Sequence, residues 1–139
     1  MIHKSNEVAI FYGMASTTYS FPSGHPMKGS RGEAFWKLIK KKKLNLAEGV
    51  EIHQPVLASE GDIRLFHNQE YINFVKKLSK KGTGFLDNGD TPVFKGVFEA
   101  SRYVVGSTLQ GLNIVMHKEI EHAFNPIGGL HHARKESAA

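Results

Sequence analysis

Glu121-His122-Ala123-Phe124-Asn125-Pro126-Ile127-Gly128-Gly129-Leu130-His131-His132 is a short strand-like run that ends in paired glycines and paired histidines. Adjacent glycines let a backbone turn tightly and let another group come close. The histidines then put two imidazoles on that turn. Imidazole titrates near neutrality, so His131 and His132 can divide the work of a general base and of a partner that keeps its proton. Like charges held close together also release their protons in coupled steps. A strand that delivers such groups at its carboxyl end matches the way open α/β sheets place their sites. A His-His dipeptide by itself is a weak motif and is equally a surface feature, so the rest of the chain has to carry the reading.

Upstream, Val8-Ala9-Ile10-Phe11-Tyr12 is a continuous apolar run closed by Gly13, as expected of a strand buried on both faces of a parallel sheet. A loop rich in Ser, Thr, Gly and Pro follows to about Gly29, with Gly24-His25-Pro26 as a rigid turn. Ser30-Arg31-Gly32-Glu33 has the spacing of a capping box, and Phe35, Leu38 and Ile39 then share one helical face down to Lys43. Arg31 in a first turn opposes the helix dipole and calls for an anion nearby. Val50-Glu51-Ile52-His53 alternates and stops before Pro55, which predicts a short edge strand.

A cap-like start at Ser59 leads into a short helix with Ile63 and Phe66. Asn68 caps a second helix with Tyr71, Ile72, Val75 and Leu78 inward and Lys80-Lys81-Gly82 at its end. His67 reads as a packed or capping residue between the two. Gly82 to Pro92 is a loop by its glycines and proline, the kind of segment that carries substrate contacts on a rigid scaffold. Within it Asp90 suits either an Asx-turn or a ligand contact, and Asp87 with Asp90 supplies too few carboxylates for calcium. Phe94, Val97, Phe98, Ser101, Val104, Val105, Thr108 and Leu112 keep helical spacing up to His117-Lys118, with Gly96, Ala100, Gly106 and Gly111 available for close packing. His117 and His122 read as surface residues.

At 139 residues and 40% hydrophobic content, the chain has the size and composition of one globular domain. It has no cysteine, which excludes disulfides, thiolate zinc sites and cysteine nucleophiles. The net charge of +5 sits largely in Lys40 to Lys43 and in Lys76, Lys77, Lys80 and Lys81, at helix ends and without interleaved aromatics, so the sequence does not point to a nucleic-acid partner. No secretory signal or membrane span is read in the sequence, and a cytoplasmic location is the default expectation.

The segment Asn125 to Ala133 resembles the active-site segment of the zinc-dependent histone deacetylase family, which includes acetylpolyamine amidohydrolases and acetoin-utilisation proteins. Gly24-His25-Pro26-Met27-Lys28 with Arg31, Phe66-His67-Asn68-Gln69-Glu70-Tyr71-Ile72, and Asp90-Thr91-Pro92-Val93-Phe94 with Phe98-Glu99 match it in the same order. The resemblance implies an α/β fold, a partial three-layer parallel sheet flanked by helices that forms the N-terminal portion of the arginase/deacetylase-like architecture. It implies amide hydrolysis of an acetylated amine, protein lysine or polyamine, by a metal-activated water. His131 and His132 would be the proton-handling pair, Asp90 a rim residue that accepts hydrogen bonds from the substrate backbone, Gly129 a further substrate contact, and Arg31 a neighbour of an internal cavity.

Family members hold their zinc with an Asp-x-His pair and a second aspartate, and polarise the carbonyl with a later tyrosine. Those stretches are not among these residues. Residues 1–139 therefore read as the N-terminal part of one domain, truncated after the histidine motif, with no metal site of its own and no cofactor expected in this chain alone. Zinc belongs to the full-length protein, and the chain alone is expected to be inactive. A sheet cut after its third strand is expected to self-associate through its exposed edge. The alternative is a non-catalytic module that pairs with another chain.

Overall fold

A computed structural model of the chain describes residues 6–22, 24–130 and 132–138. Three parallel strands form its sheet in the order β2-β1-β3, with β1 (Asn6–Phe11) central, β2 (Val50–His53) on one side and β3 (Ile120–Phe124) on the other. β1 is buried on both faces because its residues alternate between two layers. Ala9 and Phe11 pack with Ile114 and Ile120, whereas Ile10 and Tyr12 pack with Ile39. The first layer belongs to helix α4 (Val97–Met116) and the second to helix α1 (Gly29–Lys41). Helix, sheet and helix thus make the three layers expected. A third helix, α3 (Gln69–Lys81), packs on α4 through Tyr71, Ile72 and Val75 against Val97 and Phe98.

Helix starts differ from their expected positions for local reasons. α1 begins at Gly29 with Lys28 as N-cap, and no side chain of its own caps it, so Ser30 lies inside the helix instead of capping it. The Ser20 hydroxyl accepts from the Gly29 N–H at 3.0 Å instead. Gly29 also sits so close to the preceding turn that a Cβ there would lie 2.2 Å from the Thr17 carbonyl oxygen. The short helix α2 (Glu60–Arg64) does carry a capping box, between Ser59 and Asp62, and Asn68 caps α3 by accepting from the Tyr71 N–H at 2.8 Å. α4 starts at Val97, not Phe94, because Gly96 takes the left-handed conformation, φ +86°, and turns the chain into the helix.

The close-packing role expected of small residues on α4 falls on Ala100, Gly106 and Gly111, all buried. A Cβ at Gly106 would meet the Val56 carbonyl oxygen at 2.2 Å, and one at Gly111 would meet the Ala123 Cβ at 3.0 Å. The deep stripe of α4 runs through Val97, Ala100, Val104, Ser107, Gly111 and Ile114, leaving Thr108 and Leu112 exposed, although both fit the helical spacing. Among the described residues, no helix is long and apolar enough to cross a membrane. Lys40 to Lys43, Lys77, Lys80 and Lys81 are exposed, while Lys76 forms a 2.8 Å ion pair with Glu60.

Candidate active site

The candidate site is built where β3 ends. Asn125, the first residue past the strand, clamps the turn to α4: its Nδ2 donates to the Val104 carbonyl at 3.2 Å and to the Thr108 hydroxyl at 3.0 Å, while its Oδ1 accepts from the Ile127 N–H at 3.3 Å. Ile127 is buried with Tyr19, Phe21, Ala100 and Val104. The backbone then reaches Gly129 at φ +85°, where a Cβ would stand 3.2 Å from a Val104 methyl, so conformation and space both call for glycine. Leu130 is tied to the Tyr19 hydroxyl through its backbone. Burial raises the Tyr19 pKa, and that hydrogen bond opposes the rise.

His132 takes a left-handed backbone, φ +67°, uncommon for a residue with a side chain, and its imidazole side is exposed. His131 lies outside the described residues. From Ala133 the chain folds back over the α3 side. The Asn68 N–H donates to the Lys135 carbonyl at 3.0 Å, and Ala138 packs against the cluster of Tyr71, Ile72 and Phe98.

Beside this segment lies a cavity of about 250 Å³, lined by Tyr19, His67, Tyr71, Leu86, Thr91, Phe98, Arg102 and the backbone stretch Gly128 to Leu130. It joins the histidine segment to the loop that carries Asp90. Burial, followed by the Asp87 carboxylate and Tyr19, pushes the Tyr71 pKa up to about 12, so its phenol stays neutral at physiological pH. His67 packs between Phe66 and Tyr71, with ring centroids 4.9 and 5.0 Å away. Its Nδ1 is buried and has no hydrogen-bond partner among the described residues. His67 is thus a packed residue, and Asn68 is the cap.

The Asp90 loop is organised by a residue that the sequence reading did not single out for this role. Asp87 Oδ1 accepts from the N–H groups of Gly89 at 3.0 Å, Asp90 at 2.9 Å and Thr91 at 2.9 Å, while Oδ2 accepts from the Thr91 hydroxyl at 2.5 Å. The Asx-turn considered for Asp90 belongs to Asp87. The Asp90 carboxylate is exposed on the loop and has no hydrogen bond among the described residues. Burial alone would raise the Asp87 pKa, but the bonds from Thr91, Gly89 and Asp90 outweigh it and hold the carboxyl below its ordinary value. The local signal was in the sequence: an aspartate followed by Asn-Gly is a common side-chain-to-backbone turn. Asn125 before Pro126 carried a similar one.

Arg31 lies elsewhere. It is exposed in the first turn of α1, does not line the cavity, and has no ion pair among the described residues, so the anion expected beside it is not supplied by them. His117 and His122 are exposed, with the His117 Nδ1 2.8 Å from the Asn113 carbonyl. Among the described residues, no group of three or more His, Asp or Glu is placed to hold a metal ion. That donor set does not fit a zinc site, which needs at least three such ligands converging on one point.

The chain is similar to proteins that are already known. The family model described as "Histone deacetylase domain" matches residues 25–139. Histone deacetylase 6 of Arabidopsis thaliana is 32% identical over 98% of this chain and 31% of its own length. The acetoin utilization protein AcuC of Bacillus subtilis (strain 168) is 36% identical over 92% of the chain and 34% of its own length. Histone deacetylase RPD3 of Saccharomyces cerevisiae is 30% identical over 95% of the chain and 32% of its own length. The chain thus spans about a third of the curated relatives that it matches. The crystal structure of the HDA15 HD domain superposes with a TM-score of 0.82 at 14% identity, over 96% of this chain and 39% of that one, which establishes the shared fold.

Proposed function

The chain belongs to the histone deacetylase family, and on that premise we propose that it is the N-terminal part of a zinc-dependent deacetylase that hydrolyses acetylated amines, either acetyl-lysine or acetylpolyamine. The observation that carries the reading is the Gly128-Gly129-Leu130-His131-His132 run, which follows the carboxyl end of β3 inside a family match covering residues 25–139. In this reading His131 and His132 share the proton work: one imidazole takes a proton from the attacking water and returns it to the departing amine, and the other keeps its charge. Asp90 accepts hydrogen bonds from the substrate's backbone amides, and Gly129 lets the acyl group come close to the chain. Arg31 borders an internal cavity completed by other parts of the domain.

Zinc, when bound, supplies an acidified water and polarises the acyl oxygen. In this reading its ligands belong to the rest of the full-length protein, and the 139-residue chain by itself does not hydrolyse acetyl-lysine. The test is direct: the purified chain, supplied with zinc and an acetyl-lysine peptide or an acetylpolyamine, releases no acetate. Turnover by the chain alone would overturn the reading. The cytoplasm is the proposed location.

One observation favours association as well. Leu109, Leu112 and Met116 form an exposed apolar stripe on α4, and Phe124 of β3 is 47% exposed. The chain is proposed to cover these surfaces by pairing, with another copy or with a different chain that carries the metal ligands.

A further inference from the structure

We propose that Asn88 is a site of spontaneous deamidation and that the Asp87 carboxylate slows the reaction by holding the attacking nitrogen. Asn88 is the one asparagine followed by glycine; Asn6, Asn45, Asn68, Asn73, Asn113 and Asn125 precede Glu, Leu, Gln, Phe, Ile and Pro. It lies outside any helix or strand and is exposed, and its side-chain amide has no hydrogen bond among the described residues. Gly89 brings no side chain to crowd the nucleophile, and a Cβ built on it would meet nothing within 4 Å.

The chemistry needs only water. The Gly89 backbone nitrogen gives its proton to solvent base and attacks Asn88 Cγ. A Cγ–N bond forms, the Cγ–Nδ2 bond breaks, and ammonia leaves with the proton it takes from water. The resulting succinimide ring adds water at either carbonyl, and opening gives aspartate or isoaspartate.

The Asp87 knot opposes the first step in two ways. Its Oδ1 accepts the Gly89 N–H at 3.0 Å, which favours the protonated amide over the anion that must attack. The same oxygen also holds Asp90 and Thr91, so Gly89 cannot swing toward the Asn88 side chain without breaking a shared set of bonds. Conversion undoes this arrangement. Isoaspartate lengthens the backbone by one methylene between Asp87 and the three amides it binds, and either product adds a carboxylate near Asp90. The consequence for substrate contact rests on the role proposed above for Asp90; the modification itself does not.

The experiment incubates the 139-residue chain in mildly alkaline buffer and follows each asparagine by peptide mass spectrometry with fragmentation that separates aspartate from isoaspartate. Asn88 is expected to convert before Asn45 and Asn113, and more slowly than in an isolated Gly84–Val93 peptide. Asp87→Ala is expected to accelerate conversion about tenfold toward the peptide's rate, the factor carried by one charge-assisted hydrogen bond, with Asp87→Asn intermediate. Asn88 remaining intact while Asn45 or Asn113 converts would overturn the site. Equal rates in chain and peptide would overturn the protective role, and that comparison requires no variant to fold. Slower conversion in Asp87→Ala would also overturn it, since it would show Asp87 acting as the base.

Discussion

Asp87 and Asp90 stand three positions apart in one loop and do opposite things: Asp87 spends its carboxylate on its own backbone, and Asp90 presents its own to solvent. The pKa of Asp87 is depressed in the folded chain, so the bound loop is favoured above the unfolded carboxylate's value near 4 and loses that contribution as pH falls through the folded value. Amide exchange at Gly89, Asp90 and Thr91 is therefore expected to accelerate in acid before that of the α3 and α4 cores does, and Asp87→Asn should remove most of the pH dependence. Equal acid sensitivity in the variant would contradict the assignment. At this scale the sequence disclosed residue types better than their division of labour. Asp90, Gly129 and the histidines were visible as chemistry, but which aspartate folds the loop depends on backbone N–H directions that no spacing encodes. Arg31 shows the same limit, since a cation at a helix start predicts an anion only if the surrounding chain supplies one.

Among the elements, the strand pattern was legible because an apolar run closed by Gly13 and an alternating one stopped before Pro55 have few alternatives, and β1 is buried on both faces as a central parallel strand must be. Helix faces were only partly legible. The spacing on α4 admitted Thr108 and Leu112, whereas contact with the sheet and with the Val56–Ala58 segment selects a stripe of smaller residues. Gly106 is the sharpest case. A methyl group there would overlap the Val56 carbonyl oxygen at 2.2 Å and the Ala58 nitrogen at 2.5 Å, both backbone atoms that move only with their segment. Gly106→Ala is therefore expected to cost about 3 kcal/mol or more, the upper end for overpacking, even though alanine favours an isolated helix by about 1 kcal/mol. Denaturant unfolding measures it; a neutral or stabilised variant would show that α4 does not press on that segment.

For the whole molecule, three layers around a three-stranded sheet leave large apolar side chains exposed. Leu112 is 57% and Met116 71% exposed one turn apart on α4, while β3 beyond Ile120 is exposed along its length. Light scattering across a dilution series is expected to show self-association that weakens in Leu112→Lys/Met116→Lys; a monodisperse monomer at all concentrations would contradict it. The fold class was readable because the motifs appear in family order. The cavity beside Tyr71 and His67 was not, since its walls come from α3, α4, the Asp90 loop and the histidine segment, which only the fold brings together.

The most direct measurement replaces the matching third of yeast histone deacetylase RPD3 with these 139 residues and assays the chimera on an acetyl-lysine peptide, with cooperative unfolding as evidence that it has folded. Proton work by His131 and His132 predicts acetate release by the chimera that is lost on His131→Ala or His132→Ala, and none from the 139-residue chain alone. A folded chimera without activity, or one indifferent to both histidine substitutions, would contradict it.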